Sequence, residues 1–171
     1  MKKQLLVFIT TLVVSGLFTL VACKKDTTTP NNNTNNPTTV CSGGNLCFKM
    51  DGTQETYTAE WRKLTTTPTR YRIYWQNANG SQNIEMDMYG TTVGVYNVKE
   101  TGHAANDAGF QYWQNGGKDI RGISGTIEIT EIDNANNTIS GKFAVSSIDK
   151  NNSNAPHEIT EGNFEKVPLK P

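Results

Sequence analysis

Hydrophobic and polar residues alternate with a period of two along most of the chain after residue 45. This period is typical of β-strands that bury one face and expose the other. It is clearest at 83–88, where Ile84, Met86 and Met88 alternate with acidic and amide side chains. Beyond the N-terminal segment, no window carries the 3.6-residue period of an amphipathic helix. The pattern therefore predicts an all-β protein.

Turn sequences rich in Gly, Asn and Asp separate the predicted strands about every ten residues. Asp51-Gly52 and Asn77–Gly80 are hairpin signals, and 133–137 is a further turn. The run 53–61 is taken as one strand, which gives eight or nine strands in all. This number fits a single antiparallel β-sandwich, with an antiparallel β-barrel as the alternative.

The C-terminal third has the most regular pattern, with the sequence SGTIEITEIDNANNTISGKFAVSS and then HEITEGNFEKV. This part, about residues 122–167, resembles the C-terminal half of small, uncharacterised bacterial lipoproteins. Their pattern is a Gly-strand-Ile-Thr-x-x-Asp hairpin, an Ile-Ser-Gly-x-Phe return and a final Ile-Thr-x-Gly-x-Phe. The resemblance implies a β-rich domain on a lipid anchor, and it implies no activity.

The same segment predicts specific packing. Ile127 and Ile129 are expected to face Phe143 and Val145 across the hairpin as apolar pairs. Gly141, in the middle of a predicted strand, indicates a bulge or a close approach of another backbone.

The N-terminal segment has a different pattern. Two lysines precede an apolar run over 5–22, which is the layout of a secretory signal. Leu20-Val21-Ala22-Cys23 resembles the lipobox of bacterial lipoproteins, in which the cysteine thiol is diacylated, the chain is cut before it and the new amine is acylated. The resemblance implies that 1–22 is a signal peptide and Cys23 the lipid anchor. A transmembrane anchor is the alternative, since about 17–25 apolar residues span a bilayer.

The segment that follows contains no apolar side chain from Lys24 to Thr39. Such a segment buries too little surface to offset its ordering entropy, so 23–39 is predicted to be a disordered tether before a domain at 40–171. Lys24-Lys25-Asp26 resembles the charged export signals that direct some lipoproteins to the outer face of the outer membrane. We therefore expect a cell-envelope protein at the outer membrane, on its periplasmic or cell-surface face.

The charge balance argues against two classes of partner. Without Lys2 and Lys3, 14 basic residues stand against 16 acidic ones, a net charge near −2. A chain with this balance has no electrostatic footprint for nucleic acid. It also has no basic patch for anionic lipid head groups, so the predicted contact with the membrane is through the lipid on Cys23.

Two further cysteines, Cys41 and Cys47, lie on either side of a flexible turn, Ser42-Gly43-Gly44-Asn45. In an exported protein an isolated pair is typical of a disulfide. Metal binding is the alternative, but no histidine or second cysteine pair lies nearby.

The sequence has few residues that suggest catalysis or a cofactor. Its two histidines, His103 and His157, accompany no Gly-x-Ser-x-Gly elbow. Glu85 and Asp87 share one strand face with their Cα atoms about 6.5–7 Å apart, which resembles the spacing of the carboxyl groups in an inverting glycosidase. Alternating acids are also the ordinary solvated face of a strand. We predict no cofactor, no metal site and no enzyme activity.

Aromatic residues are more numerous than one inner face requires. In Tyr74-Trp75 and Tyr112-Trp113, alternation directs one ring of each pair outward. Trp61, Tyr74 and Trp113 are the candidates for stacking on a ligand, and edge cover of the core is the alternative. The favoured hypothesis is a binding or scaffolding module for a glycan or another envelope protein. A hydrolase using Glu85 and Asp87, or a structural accessory subunit, are the alternatives.

Overall fold

The computed structural model describes residues 41–65, 67 and 69–170, and these residues form ten β-strands. The predicted signal peptide (1–22), the lipid-anchor cysteine Cys23 and the tether (23–39) lie outside the described residues. The strands are β1 Leu46–Met50, β2 Thr53–Tyr57, β3 Glu60–Leu64, β4 Arg70–Gln76, β5 Gln82–Met88, β6 Gly94–Val98, β7 Asp107–Gln114, β8 Asp119–Asp133, β9 Thr138–Asp149 and β10 Ala155–Pro168.

Within this part of the chain, no helical segment has the length and apolar character needed to cross a bilayer.

All ten strands belong to one sheet, in the order β2-β1-β10-β9-β8-β6-β7-β5-β4-β3. Every pairing between strands is antiparallel except β6 with β7. The first part of β8 pairs with β7, and its later part pairs with β6. The prediction of an all-β, largely antiparallel fold is confirmed. A sandwich of two separate sheets is not confirmed, because hydrogen bonds link all the strands into a single curled sheet.

The strand number of eight or nine was wrong because the run 53–61 is two strands. β2 pairs with β1, and β3 pairs with β4 on the other edge of the sheet. Only Thr58 and Ala59 separate them, so the sheet must curl until its two edges meet. At this crossing the amide of Asn45 takes the place of a strand neighbour: its Oδ1 accepts from the Ala59 N–H (2.7 Å) and its Nδ2 donates to the Ala59 carbonyl (2.9 Å).

The curl also brings β3 to the end of β10. Trp61 forms an isolated parallel bridge with Leu169, and the Lys170 N–H donates to the Trp61 carbonyl (2.9 Å). These contacts satisfy backbone groups that an exposed sheet edge would leave unpaired.

The hydrophobic core lies on the inner side of the curl, where alternate residues of the strands converge. Phe48 packs against Phe110 and Phe143, with ring centroids 6.3 and 5.8 Å apart. The largest fully buried side chains are Leu46, Phe48, Ile73, Ile84, Met86, Met88, Tyr96, Ile120, Ile127, Ile129, Ile139 and Phe164. The positions that alternate with these face outward, which is the face pattern predicted for 83–88.

The predicted packing of the C-terminal third is confirmed in part. Ile127 pairs with Phe143, whereas Ile129 lies opposite Gly141 and Val145 opposite Gly125. The register shift of β8 after Ile129 is a bulge beside Gly141. A side chain at Gly141 would overlap the Glu128 carbonyl and the Phe164 ring. The glycine therefore marks both the bulge and the close approach.

The predicted disulfide is present, with the Cα atoms of Cys41 and Cys47 5.5 Å apart. It ties the start of the domain to β1, next to β10. The Asp51-Gly52 hairpin is also confirmed, with positive φ angles of 50° and 82°.

Candidate functional site

Four neighbouring strands present a continuous set of polar side chains on the side of the sheet opposite the core. Across β4, β5, β7 and β8, one row runs Tyr74, Glu85, Gln111 and Arg121. Next to it, a second row runs Gln76, Asn83, Trp113 and Asp119. We call this surface the polar face, and define it by Arg72, Tyr74, Glu85, Asp87, Gln111, Trp113 and Arg121.

Arg72 holds the two acidic residues of the polar face. Its Nε and Nη2 donate to the two carboxylate oxygens of Asp87 at 2.6 and 2.7 Å, and its Nη1 lies 2.9 Å from Glu85 Oε2. Arg70 adds a second guanidinium 3.2 Å from Asp87. The hydrogen bonds to Asp87 raise the pKa of Arg72 above its ordinary value. The network fixes the direction of every oxygen and nitrogen in it.

The guanidinium of Arg121 forms a similar set of hydrogen bonds that reaches β8. Arg121 donates from Nε to Asp119 Oδ1 (2.7 Å) and from Nη1 to Gln111 Oε1 (2.7 Å). Its side chain is 39% exposed, so one side of the group faces solvent while its partners hold it in place. Sequence reasoning missed Gln111 and Arg121 because their position beside Glu85 depends on the pairing of β5 with β7.

The three aromatic candidates lie in different environments. Tyr74 and Trp113 are both half-buried on the polar face, and the guanidinium of Arg62 lies 5.1 Å from the centroid of the Tyr74 ring. Trp61 is only 7% exposed, packs on Tyr71 with ring centroids 4.8 Å apart, and donates its Nε1–H to the Asn137 carbonyl. Because its ring is enclosed by the core, Trp61 does not belong to the polar face.

A short loop, 99–106, leads from β6 into β7 and covers one end of the polar face. The imidazole of His103 stacks on Tyr89 with ring centroids 4.4 Å apart and planes 6° from parallel. Gly109 of β7 lies next to this stack, and a Cβ built there would lie 3.2 Å from His103 Nε2. Between the loop and the strands is an open groove of about 190 Å³.

The loop is held by hydrogen bonds at both ends. The Asn106 N–H donates to the Tyr89 carbonyl (2.9 Å), and His103 Nε2 donates to the Lys99 carbonyl (2.9 Å). The Ala104 N–H donates to Asp107 Oδ2 (2.7 Å), and Lys99 Nζ lies 3.0 Å from the same oxygen. The Ala104 hydrogen bond, and then the one from Lys99, hold the pKa of Asp107 below its usual range.

The second histidine lies away from the polar face. His157 Nδ1 is 2.6 Å from Asp51 Oδ2, and the Glu158 N–H donates to Asp51 Oδ1 (2.9 Å). The Glu158 bond, followed by that from His157, lowers the pKa of Asp51. This pair joins the β1–β2 turn to β10. Among the described residues, no three His, Cys, Asp or Glu side chains are grouped so as to hold a metal ion.

Comparison with known proteins gives a family match. None of the curated proteins matches the chain, and no solved structure matches it. Residues 45–168, well over half of the chain, match the model of the family described as Domain of unknown function (DUF6252). The matched region runs from just before β1 to the end of β10 and so includes the whole polar face. The chain belongs to the Domain of unknown function (DUF6252) family.

Proposed function

We propose that the protein is a non-enzymatic binding module of the cell envelope, and that its polar face binds a glycan. The observation that supports this most is the position of Tyr74 and Trp113 on the same outer surface as Glu85, Gln111 and Arg121. Sugar rings present apolar C–H faces and a rim of hydroxyl groups. A surface that combines half-buried aromatic rings with oriented donors and acceptors fits both.

The fixed orientation of the polar side chains is a second argument for binding. Glu85, Asp87 and Arg72 form a mutual network before any ligand arrives, as do Arg121, Asp119 and Gln111. A ligand that adds hydrogen bonds to groups already fixed in direction loses little side-chain entropy on binding. The surface is thus prepared for a hydroxyl-rich ligand without rearrangement.

The hydrolase alternative is less well supported by the same geometry. An inverting glycosidase needs room for a water and a sugar between its two carboxyl groups. In this chain a single guanidinium, that of Arg72, lies between Glu85 and Asp87 and bonds to both. The pair therefore acts as a clamp on an arginine, and we propose a binding role for it.

The proposed attachment to the envelope depends on the N-terminal sequence. We propose that Cys23 carries the lipid, that the chain begins at this residue after cleavage, and that 23–39 is the tether to the outer membrane. Two or three acyl chains hold a protein firmly where one chain is marginal. Mass spectrometry of the protein from membranes should find an acylated Cys23 at the N-terminus. Retention of 1–22 with an unmodified thiol would refute the anchor.

Binding can be tested with the purified, detergent-solubilised full chain on an array of envelope and host glycans. We expect a defined set of glycans to bind, and Trp113→Ala and Tyr74→Ala each to lower the affinity at least about tenfold, equivalent to ~1.4 kcal/mol. Val95→Ala is the matched control, because Val95 is 52% exposed and lies outside the polar face. Absence of binding to every glycan, or equal binding by all the variants, would refute the proposal.

A further inference from the structure

We infer that the groove beside Gly109 is a subsite for one uncharged sugar ring, so that the ligand of the polar face is a neutral glycan. This inference rests on the proposed glycan binding and specifies its chemistry. Three features of the groove support it: how it is formed, how its charges are paired and how large it is.

The groove is lined on β7 by Gly109, a strand position that has no side chain. The neighbouring outward position of the same strand is Gln111, and the residue opposite Gly109 on β5 is Asp87. A side chain at 109 would fill the space between Asp87 and His103. Gly109 has an ordinary extended backbone, so its conformation does not require glycine. A Cβ there would lie 3.2 Å from His103 Nε2, so the glycine lets the His103 ring lie close to β7 at the edge of the groove.

The charges around the groove balance. Its lining contains three cations and three anions, Arg72, Lys99, Arg121, Glu85, Asp87 and Glu100. Each cation has a carboxylate partner: Arg72 binds Asp87 and Glu85, Lys99 binds Asp107, and Arg121 binds Asp119. Glu100 in turn lies 2.6 Å from Lys150.

This pairing selects against a charged ligand. The lining has as many anions as cations, so neither an anionic nor a cationic ligand meets an excess of opposite charge there. At Arg72, whose partner Asp87 is only 13% exposed, displacing the carboxylate would leave a partly buried charge without compensation. Hydroxyl groups can add hydrogen bonds at the rims of these pairs without displacing them.

The size of the groove sets the size of the group it holds. Its volume of about 190 Å³ is below the range of about 300–1,000 Å³ typical of pockets for drug-sized ligands. One ring-sized unit is therefore the largest group that fits. Tyr89 and His103 line one side of the groove, and the polar face continues from Gln111 to Trp113 on the same strand. A glycan chain can thus place one unit in the groove and the next against Trp113.

The groove is also preorganised. Hydrogen bonds of His103, Ala104 and Asn106 hold the loop against β5 and β7, so closing the groove needs no ordering of the loop at the moment of binding.

The test fills the groove and compares ligands. Gly109→Val places a β-branched side chain, which strands accommodate well, against the His103 ring and beside the groove. Ala144→Val makes a similar change on the outward side of β9, where Ala144 is exposed, and is the matched control. Gly109→Ala is a milder variant, because a single methyl group requires only a small shift of His103. Circular dichroism and the thermal midpoint show that each variant folds.

Isothermal titration calorimetry is carried out on the full chain in detergent. The probes are neutral oligosaccharides of glucose, mannose, galactose and N-acetylglucosamine, and an oligogalacturonate of the same length. We expect the wild type to bind a neutral oligosaccharide at least about tenfold more tightly than the acidic one. Gly109→Val should weaken that binding at least about tenfold, Gly109→Ala less, and Ala144→Val not at all.

The possible failures are distinct. Wild-type binding that Gly109→Val leaves unchanged overturns the groove subsite and leaves the proposed function standing. Tighter binding of the oligogalacturonate overturns the neutral class of ligand. Absence of binding to any glycan by the wild type overturns the proposed function, and the subsite with it.

Discussion

Gly109 in β7 and Gly141 in β9 occupy similar positions in their strands but face opposite environments. Both have ordinary strand backbones, and neither is needed for a turn. At Gly141 an added side chain would meet the Glu128 carbonyl and the Phe164 ring, whereas at Gly109 it would meet only the edge of His103 at 3.2 Å. Gly141 makes room for groups of the two neighbouring strands, the Glu128 carbonyl of β8 and the Phe164 ring of β10, whereas Gly109 makes room for a loop histidine beside a surface groove.

The comparison shows that the same residue type meets a close-packed interior in one region and borders a surface groove in another. Around Gly141, the β8–β9–β10 strands are long, regular and tied together by buried isoleucine and phenylalanine. Around Gly109, the outward side chains are ionic, amide or aromatic, and their contacts lie at the surface. Stability and binding should therefore respond to different substitutions.

The largest expected effect is at Gly141. Gly141→Val should lower the free energy of unfolding by roughly 3 kcal/mol or more, because the new side chain overlaps a backbone carbonyl that the β8–β9 ladder holds in place. Gly109→Val should cost less, about 1–2 kcal/mol, because it meets a surface side chain, that of His103, and not a backbone group. Urea denaturation of the two variants measures both values. Similar losses of stability at the two positions would contradict the proposed contrast between the two glycines.

Arg72 is expected to give the next largest effect, and it should affect both properties. Arg72→Met leaves Asp87 and Glu85, whose side chains are 13% and 24% exposed, without their shared partner. We expect a loss of about 1–3 kcal/mol in stability together with a loss of glycan binding. The same loss of stability with unchanged binding would show that the network only supports the fold.

The disulfide should act on stability alone. Replacing Cys41 and Cys47 by serine removes a short loop closure and should cost about 2 kcal/mol in the chain-entropy model. Glycan affinity should remain within about twofold of the wild type, since the bridge lies beside β1 and β10 and not on the polar face. Calorimetric titration of the double variant checks this, and a large loss of affinity in a folded protein would contradict the separation.

The smallest expected effect is that of acidic pH, and it too concerns stability. The pKa of Asp51 is lowered in the folded protein by the hydrogen bonds from Glu158 and His157. Its contribution is therefore fully present above the ordinary aspartate pKa of about 3.9 and is lost as the pH falls through the lower folded value. Asp51→Asn should flatten the decline of the thermal midpoint below about pH 4. An unchanged decline would show that other carboxylates cause it.

The strands and their buried faces could be predicted from the sequence, because hydrophobic residues at every second position indicate which side of a strand is buried. Ile84, Met86 and Met88 are indeed inside, and Glu85 and Asp87 outside. The division of 53–61 could not be foreseen, because its composition continues across Thr58 and Ala59. The crossing is set by the distant side chain of Asn45.

The composition of the polar face was equally hard to predict. Glu85, Gln111 and Arg121 become neighbours only because β5 pairs with β7 and not with β6, which follows it in the chain. Trp61 was also a candidate for ligand stacking, although the closing of the sheet edges buries it. The local sequence pattern indicates on which face of its strand a side chain lies. The pairing of strands that are distant in the chain decides which residues share that face.

The most direct test of the proposed glycan face is chemical-shift mapping by NMR on the isotopically labelled full chain with a bound neutral oligosaccharide. We predict that the largest changes fall on the side-chain signals of Gln111, Trp113 and Arg121 and on the amide of Gly109, with little change along β9 and β10. Changes confined to β9 and β10, or absent from the polar face at saturating ligand, would contradict the account.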